Sequence, residues 1–190
     1  MQAATKECPI KKTSIALLKI KVRKPKLFAL ITSYADLLLR NAQGFKVGLY
    51  QSPHVYRFNE RVKLRGIEVE DQLLIDAFVQ VDQARRECGL SLSFFEATTL
   101  AAFVIFKDQC CDVWVLEVGL GGRLDVVNVV NPDVAVITNI GLDHTDWLGD
   151  TIEKIAFEKA GIIRPDIPVV FGGQQQIPQA ILDKAHECNA

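Results

Sequence analysis

Two runs of this sequence hold residue types that could act together on a phosphate: Glu117-Val-Gly-Leu-Gly-Gly-Arg-Leu-Asp125 and Leu142-Asp-His-Thr-Asp-Trp-Leu-Gly149. The first joins two carboxylates through a glycine loop; the second sets Asp143 and His144 after an apolar segment. A third group, Ser52, stands in Ser52-Pro-His54, behind another apolar run. Each has a plain alternative when taken singly: Ser52 as a turn cap, Glu117 as a salt-bridged acid, His144 as a loop histidine. A shared position at strand ends argues for a site, because polar groups beside buried strands are costly unless a ligand or metal uses them. Oxygen ligands with one imidazole suit magnesium or manganese better than structural zinc.

Short apolar runs rich in valine and isoleucine at 112–118 and 133–140 predict strands buried on both faces; 46–50 predicts a short buried strand and 168–171 another strand. Residues 62–69 alternate around Arg65-Gly66 and predict a small hairpin or flap. Leu73, Leu74, Ala77, Phe78, Val81 and Ala84 recur at threes and fours, which predicts an amphipathic helix over 70–88. A helix over 95–107 is apolar around most of its circumference. The next, over 151–160, reads as capped by Asp150 with Glu153 three residues on, and as closed by Gly161. Pro178 starts a last helix. Alternating strands and helices indicate an α/β fold, a doubly wound, mostly parallel sheet with helices on both faces. In such a sheet ligands bind outside the carboxyl ends of the strands, where Ser52, Glu117 and His144 stand.

Residues 1–27 carry eight lysines and arginines against Glu7 and read as a basic, poorly ordered arm; 28–39 then turn apolar with helical spacing. The remaining 28–190 read as one domain. A chain of 190 residues with 49% apolar content and a net charge of −1 can bury one core and gives no reason to expect nucleic acid or a membrane. Five cysteines without C-x-x-C spacing suggest reduced thiols and a cytoplasmic protein. His186 reads as a solvated helix residue. The glycine loop is not a dinucleotide fingerprint, because Leu124 occupies the third glycine position and Val126-Val-Asn-Val-Val130 is not a helix start.

Beside these runs stand Lys46-Val-Gly-Leu-Tyr-Gln-Ser-Pro-His54, Arg57-Phe-Asn-Glu-Arg61, Ser93-Phe-Phe-Glu96 and Glu158-Lys-Ala-Gly-Ile162. Together, in this order, they resemble the bacterial bifunctional folylpolyglutamate synthase/dihydrofolate synthase family of the Mur ligase superfamily. The resemblance implies an ATP-dependent ligase that phosphorylates a pteroate or folate carboxylate and joins it to L-glutamate, acting as a monomer on small-molecule substrates with ATP and Mg2+. It implies Ser52 and Glu117 as ligands of one magnesium ion and His144 as ligand of a second. Lys159 matches a lysine carbamylated in the family, so Lys159 and His144 are the implied catalytic residues. Ser93, Phe94, Phe95, Glu96, Leu124, Asp125 and Val126 fall where the family contacts dihydropteroate.

The sequence departs from the family pattern where the nucleotide is held. In place of Gly-Thr-Asn-Gly-Lys-Gly it reads Lys24-Pro-Lys-Leu-Phe-Ala-Leu-Ile-Thr32, and no G-x-x-x-x-G-K-[ST] occurs in the chain. Val127 stands for the family's threonine, and the family's C-terminal glutamate-binding domain has no counterpart in the sequence. The expectation is therefore a truncated ATPase-like domain with impaired ligation; the alternative is a non-catalytic remnant that at most binds a pterin or a metal.

Overall fold

The computed structural model describes residues 17–22, 44–173 and 176–190. Seven strands form one sheet in the order β4-β3-β2-β5-β1-β6-β7. They are β1 (Leu17–Val22), β2 (Val47–Tyr50), β3 (Val62–Leu64), β4 (Ile67–Glu68), β5 (Val113–Glu117), β6 (Val134–Ile137) and β7 (Val169–Phe171). The helices are α1 (Asp71–Glu87), α2 (Phe94–Asp108), the single turn α3 (Thr145–Leu148), α4 (Ile152–Ala160) and α5 (Gln179–Glu187).

Strands β2 and β5 pair in parallel, as do β6 and β7, while β1 lies antiparallel between β5 and β6. Five of the seven strands thus share one direction, and only β1 and β3 run against it. The expected basic arm over 1–27 differs from the structure at 17–22, which form β1 inside the sheet. Leu17-Leu-Lys-Ile-Lys-Val22 alternates apolar and basic residues with the period of a strand. The rest of 1–27, and the expected helix over 28–39, lie outside the described residues.

Alternation along the strands sorts the core into two faces. Tyr50, Leu116, Ala135 and Ile137 join the cluster built by α1, α2, α4 and α5. Val47, Leu49, Val113, Val115, Val134 and Val136 form the cluster on the other face, with Phe45 and Val170 packed against it. Among the described residues every long helix packs on the first face, so the expected second layer of helices is not seen there. No described helix is long and apolar enough to cross a membrane.

Helix ends follow their caps, with one correction. Thr151, not Asp150, caps α4: its Oγ1 accepts from the Lys154 N–H at 3.3 Å, while Asp150 pairs with the Lys154 ammonium at 2.8 Å. The Glu153 carboxylate reaches instead to the start of α5, accepting from the Gln179 and Ala180 N–H groups, where a carboxylate complements the helix dipole. The segment after the glycine loop makes one 3-10 turn, Val126–Val129, with Asp125 as its N-cap.

The sheet tolerates no side chain at Gly48, where a Cβ would lie 2.5 Å from Cδ1 of Phe106, a ring with 0% exposure. Gly48→Ala is expected to lower stability by about 1–3 kcal/mol through overpacking. In urea melts, adding Phe106→Leu should cost less in the Gly48→Ala background than in the wild type.

Candidate active site

Ser52 and Glu117 meet because β2 and β5 are parallel and in register, with Tyr50 opposite Leu116. One step beyond that pair the Ser52 N–H donates to Glu117 Oε2 at 2.8 Å. Oε1 of Glu117 has no hydrogen-bond partner among the described residues. Burial pushes the Glu117 carboxyl above the usual carboxylate range, opposed in part by the Ser52 N–H. A half-buried carboxylate with one unused oxygen fits a divalent cation. Leu18 of β1 pairs with both Glu117 and Val136, which sets Glu117 level with the end of β6. The loop carrying Asp143 and His144 leaves from that same edge.

The glycine loop is folded around Asp125. Its Oδ2 accepts from the Gly119 and Leu120 N–H groups, both at 3.0 Å, and its Oδ1 from Val127 N–H at 2.9 Å. Two of the glycines are sterically required. A Cβ at Gly119 would lie 2.4 Å from Cζ of Phe95, and Gly121 adopts φ +67°, which disfavours a side chain. Arg123 then ties the loop to α4: its N–H donates to the Glu158 carbonyl at 2.9 Å and its guanidinium pairs with the Glu158 carboxylate at 2.9 Å.

Between this loop and the start of α2 opens a cleft of about 560 Å3. Of the seven residues expected to contact a substrate, Ser93, Phe95, Glu96, Leu124, Asp125 and Val126 line it, and Phe94 does not. Phe94 turns to Phe58, with ring centroids 6.0 Å apart, and to the Arg61 guanidinium, 5.4 Å from its ring. Ser93 and Glu96 also hold the helix start. Ser93 Oγ accepts from the Glu96 N–H, and the Ser93 N–H donates to the Glu96 carboxylate at 2.7 Å. Trp147 and Arg123 also line the cleft and were not singled out in the sequence. Trp147 is 80% exposed, and an aromatic residue beside the Asp143-His144 pair was the signal available for it.

His144 bonds to Asp143, whose charge also bears on Lys159. The His144 backbone adopts φ 51°, and its N–H donates to Asp143 Oδ1 at 2.8 Å. Its Nε2 stands 3.8 Å from Asp143 Oδ2. Lys159, at the end of α4, is 5% exposed and has no hydrogen-bond or ion-pair partner among the described residues. Desolvation pulls its ammonium down to about 8, with the Asp143 charge opposing. No three His, Cys, Asp or Glu side chains cluster as a metal cage among the described residues. A cation at Glu117 would therefore rely on waters and ligand oxygens for most of its shell, as magnesium commonly does.

The Mur ligase middle domain model matches residues 77–170, a span that begins in α1 and runs through the glycine loop, Asp143, His144 and Lys159 to β7. The chain carries a Mur ligase middle domain. The dihydrofolate synthase/folylpolyglutamate synthase of Haemophilus influenzae is 49% identical over 144 residues, covering 76% of this chain and 32% of that protein. Its Escherichia coli counterpart is 48% identical over 149 residues, covering 78% and 35%. The structure of E. coli FolC in complex with DHPP and ADP superposes with a TM-score of 0.76 at 46% identity, over 82% of this chain and 36% of that one. The bifunctional synthase of Yersinia pestis with AMPPNP and a manganese ion gives 0.75 at 46% identity, over 82% and 37%. The chain spans about a third of the length of these relatives.

The buried Lys159 of this Mur ligase middle domain predicts a measurable stability change. Its pKa falls from 10.5 unfolded to about 8 folded, so below pH 8 the folded state must bury a charge that the unfolded state solvates. The penalty, up to about 3 kcal/mol, fades as pH rises from about 8 towards 10.5. Lys159→Met is expected to be more stable than the wild type in urea melts at pH 7, with the gap closing by pH 10.

Proposed function

We propose that this domain provides the acceptor- and metal-binding half of an ATP-dependent carboxylate–amine ligase. Its family reaction joins L-glutamate to dihydropteroate or folate through an acyl phosphate. The observation that carries the reading is Glu117: a half-buried carboxylate with an oxygen unused among the described residues, beside Ser52 and at the edge from which the aromatic cleft opens. Relatives whose structures hold DHPP and ADP, or AMPPNP and manganese, support it.

In this reading Ser52 orients Glu117 through its N–H, and Glu117 receives Mg2+. Bound there, the cation would neutralise charge on the transferring phosphoryl group. His144, fixed by its N–H bond to Asp143, contributes a second metal position, and Lys159 supports it from the end of α4. Phe95, Leu124 and Val126 give apolar walls for a pterin, with Ser93, Glu96 and Asp125 as the polar groups of the cleft. Phe94 lies outside that lining and is left out of the proposed binding set.

The missing glycine-lysine loop favours a second element of the proposal. Without a backbone N–H cradle and its lysine, positioning and electrostatic stabilisation of the phosphoryl group are both lost. The chain then binds acceptor and cation but does not turn over, which is the remnant reading. In this reading the domain binds small molecules in the cytoplasm, as a monomer and without nucleic acid.

Two measurements test this. Mn2+ titration followed by water-proton relaxation should show a site that Glu117→Gln weakens about tenfold or more, and an unchanged isotherm refutes the metal assignment. Mixed with ATP, L-glutamate and dihydropteroate, the purified chain should release no ADP above background. Glutamate-dependent release abolished by Glu117→Ala would refute the loss of turnover.

A further inference from the structure

Helices α1 and α2 leave between them a trough that the site described above does not use. The apolar stripe of α1 is buried at Leu74, Ala77 and Val81, but its next members, Ala84 and Cys88, are exposed. On α2, Ala101, Ala102, Ile105 and Phe106 are buried, whereas Leu100, Phe103 and Val104 are only half-buried. The apolar spacing of both helices thus runs past the point where their packing stops. The trough has a volume of about 550 Å3, and Trp114 of β5 lines it from the sheet. Trp114 is half-buried, although its neighbours Val113 and Val115 are each 1% exposed.

The charged groups of the lining are of one sign. It includes Arg85 and Lys107 and no carboxylate, whereas the cleft beside the glycine loop is lined by Glu96, Asp125 and Glu158 against Arg123. Arg85 is already engaged, with Nε at 2.7 Å and Nη2 at 2.6 Å from Asp82 Oδ1. Lys107, in the last turn of α2, has no hydrogen-bond or ion-pair partner among the described residues. The lining runs from Gln80 to Cys88 along α1 and from Leu100 to Lys107 along α2, about 12 and 10 Å of helix axis. Lys107 therefore stands at one end of an elongated apolar surface.

We propose that this trough binds a medium-chain aliphatic carboxylate, its chain laid between α1 and α2 and its head on Lys107. The volume and the mostly apolar lining with few polar groups are those of small-molecule pockets. With C–C bonds of about 1.5 Å, a zigzag chain of about eight to ten carbons matches the length of the trough. Removing each CH2 from water drives binding. The carboxylate gives Lys107 its counter-charge, and no acid of the lining repels it. This inference is independent of the ligase reading, since none of the trough's residues belongs to the site proposed for that reaction.

The test titrates octanoate and its neutral isostere octanamide into the full chain. The sequence has two tryptophans, Trp114 and Trp147, so in a Trp147→Phe background the emission reports on the trough alone. Octanoate should change that emission saturably and bind about fivefold more tightly than the amide. Lys107→Met should bring the two to equal affinity. Ala84→Phe, which fills the trough from an exposed position of α1, should abolish both. Absent or non-saturable binding of octanoate, equal binding of acid and amide before any change at Lys107, or a preference for the acid that survives Lys107→Met overturns the inference. So does octanoate binding that is unchanged in a folded Ala84→Phe. Should Ala84→Phe fail to fold, nuclear Overhauser contacts between octanoate methylenes and the Trp114 ring carry that arm, and their absence overturns the inference. A dimer in sedimentation that Ala84→Arg dissociates and octanoate does not puts a second copy in the trough, which overturns it as well.

Discussion

The candidate site depends on one carboxylate more than on any other group. Asp125 accepts three backbone N–H bonds from Gly119, Leu120 and Val127, closing the chain after β5 into a loop that turns back on itself. Hydrogen bonds to an ionised acceptor are about twice as strong as neutral ones, and three of them fix a segment in which glycines would otherwise leave many conformations open. The fixed loop brings Arg123 to Glu158, and a Cβ at Gly161 would lie only 2.6 Å from the Arg123 Cα. Helix α4, and with it Lys159, is therefore placed relative to the strand end that carries Glu117. The same residue forms part of the cleft wall, so scaffold and candidate contact are one side chain.

Electrostatics at this edge is arranged against burial. Glu117 has its carboxyl pushed up and Lys159 its ammonium pulled down, both by desolvation, and neither forms an ion pair among the described residues. A protein selected for stability alone would fill these positions with apolar side chains of similar volume. Two charged groups at one sheet edge without an ion pair among the described residues are what a polar, charged ligand set would satisfy, and perturbed titration is enriched at such sites.

The sheet shows why the positions of chemistry could be read more easily than the topology. Valine-rich runs announced β5, β6 and β7, helical spacing announced α1, and a long apolar run announced α2, because each pattern is local. The segment 17–22 was read as part of a charged arm even though its alternation of Leu18, Ile20 and Val22 with Lys19 and Lys21 has a strand's period. Its place between β5 and β6 rests on pairing with residues about a hundred positions away, which no local window contains. The cap of α4 was misread by one residue for a related reason. Asp150 and Thr151 are both acceptable caps, and the backbone's entry into the helix decided between them.

The sequence by itself determined the chemical vocabulary: which carboxylates, glycines, histidine and lysine stand at strand ends, and that the phosphate-cradling glycine-lysine motif is missing. These follow from residue type and spacing alone. Tertiary structure decided what each group is free to do. It took the Asp125 oxygens for the loop backbone and turned Phe94 away from the cleft towards Arg61. Among the described residues it left one oxygen of Glu117 without a hydrogen bond and buried Lys159 without an ion pair. The reason is physical: whether a polar atom is satisfied depends on donors and acceptors brought in from distant segments, and burial, which sets the cost of leaving it unsatisfied, is a property of the packed chain.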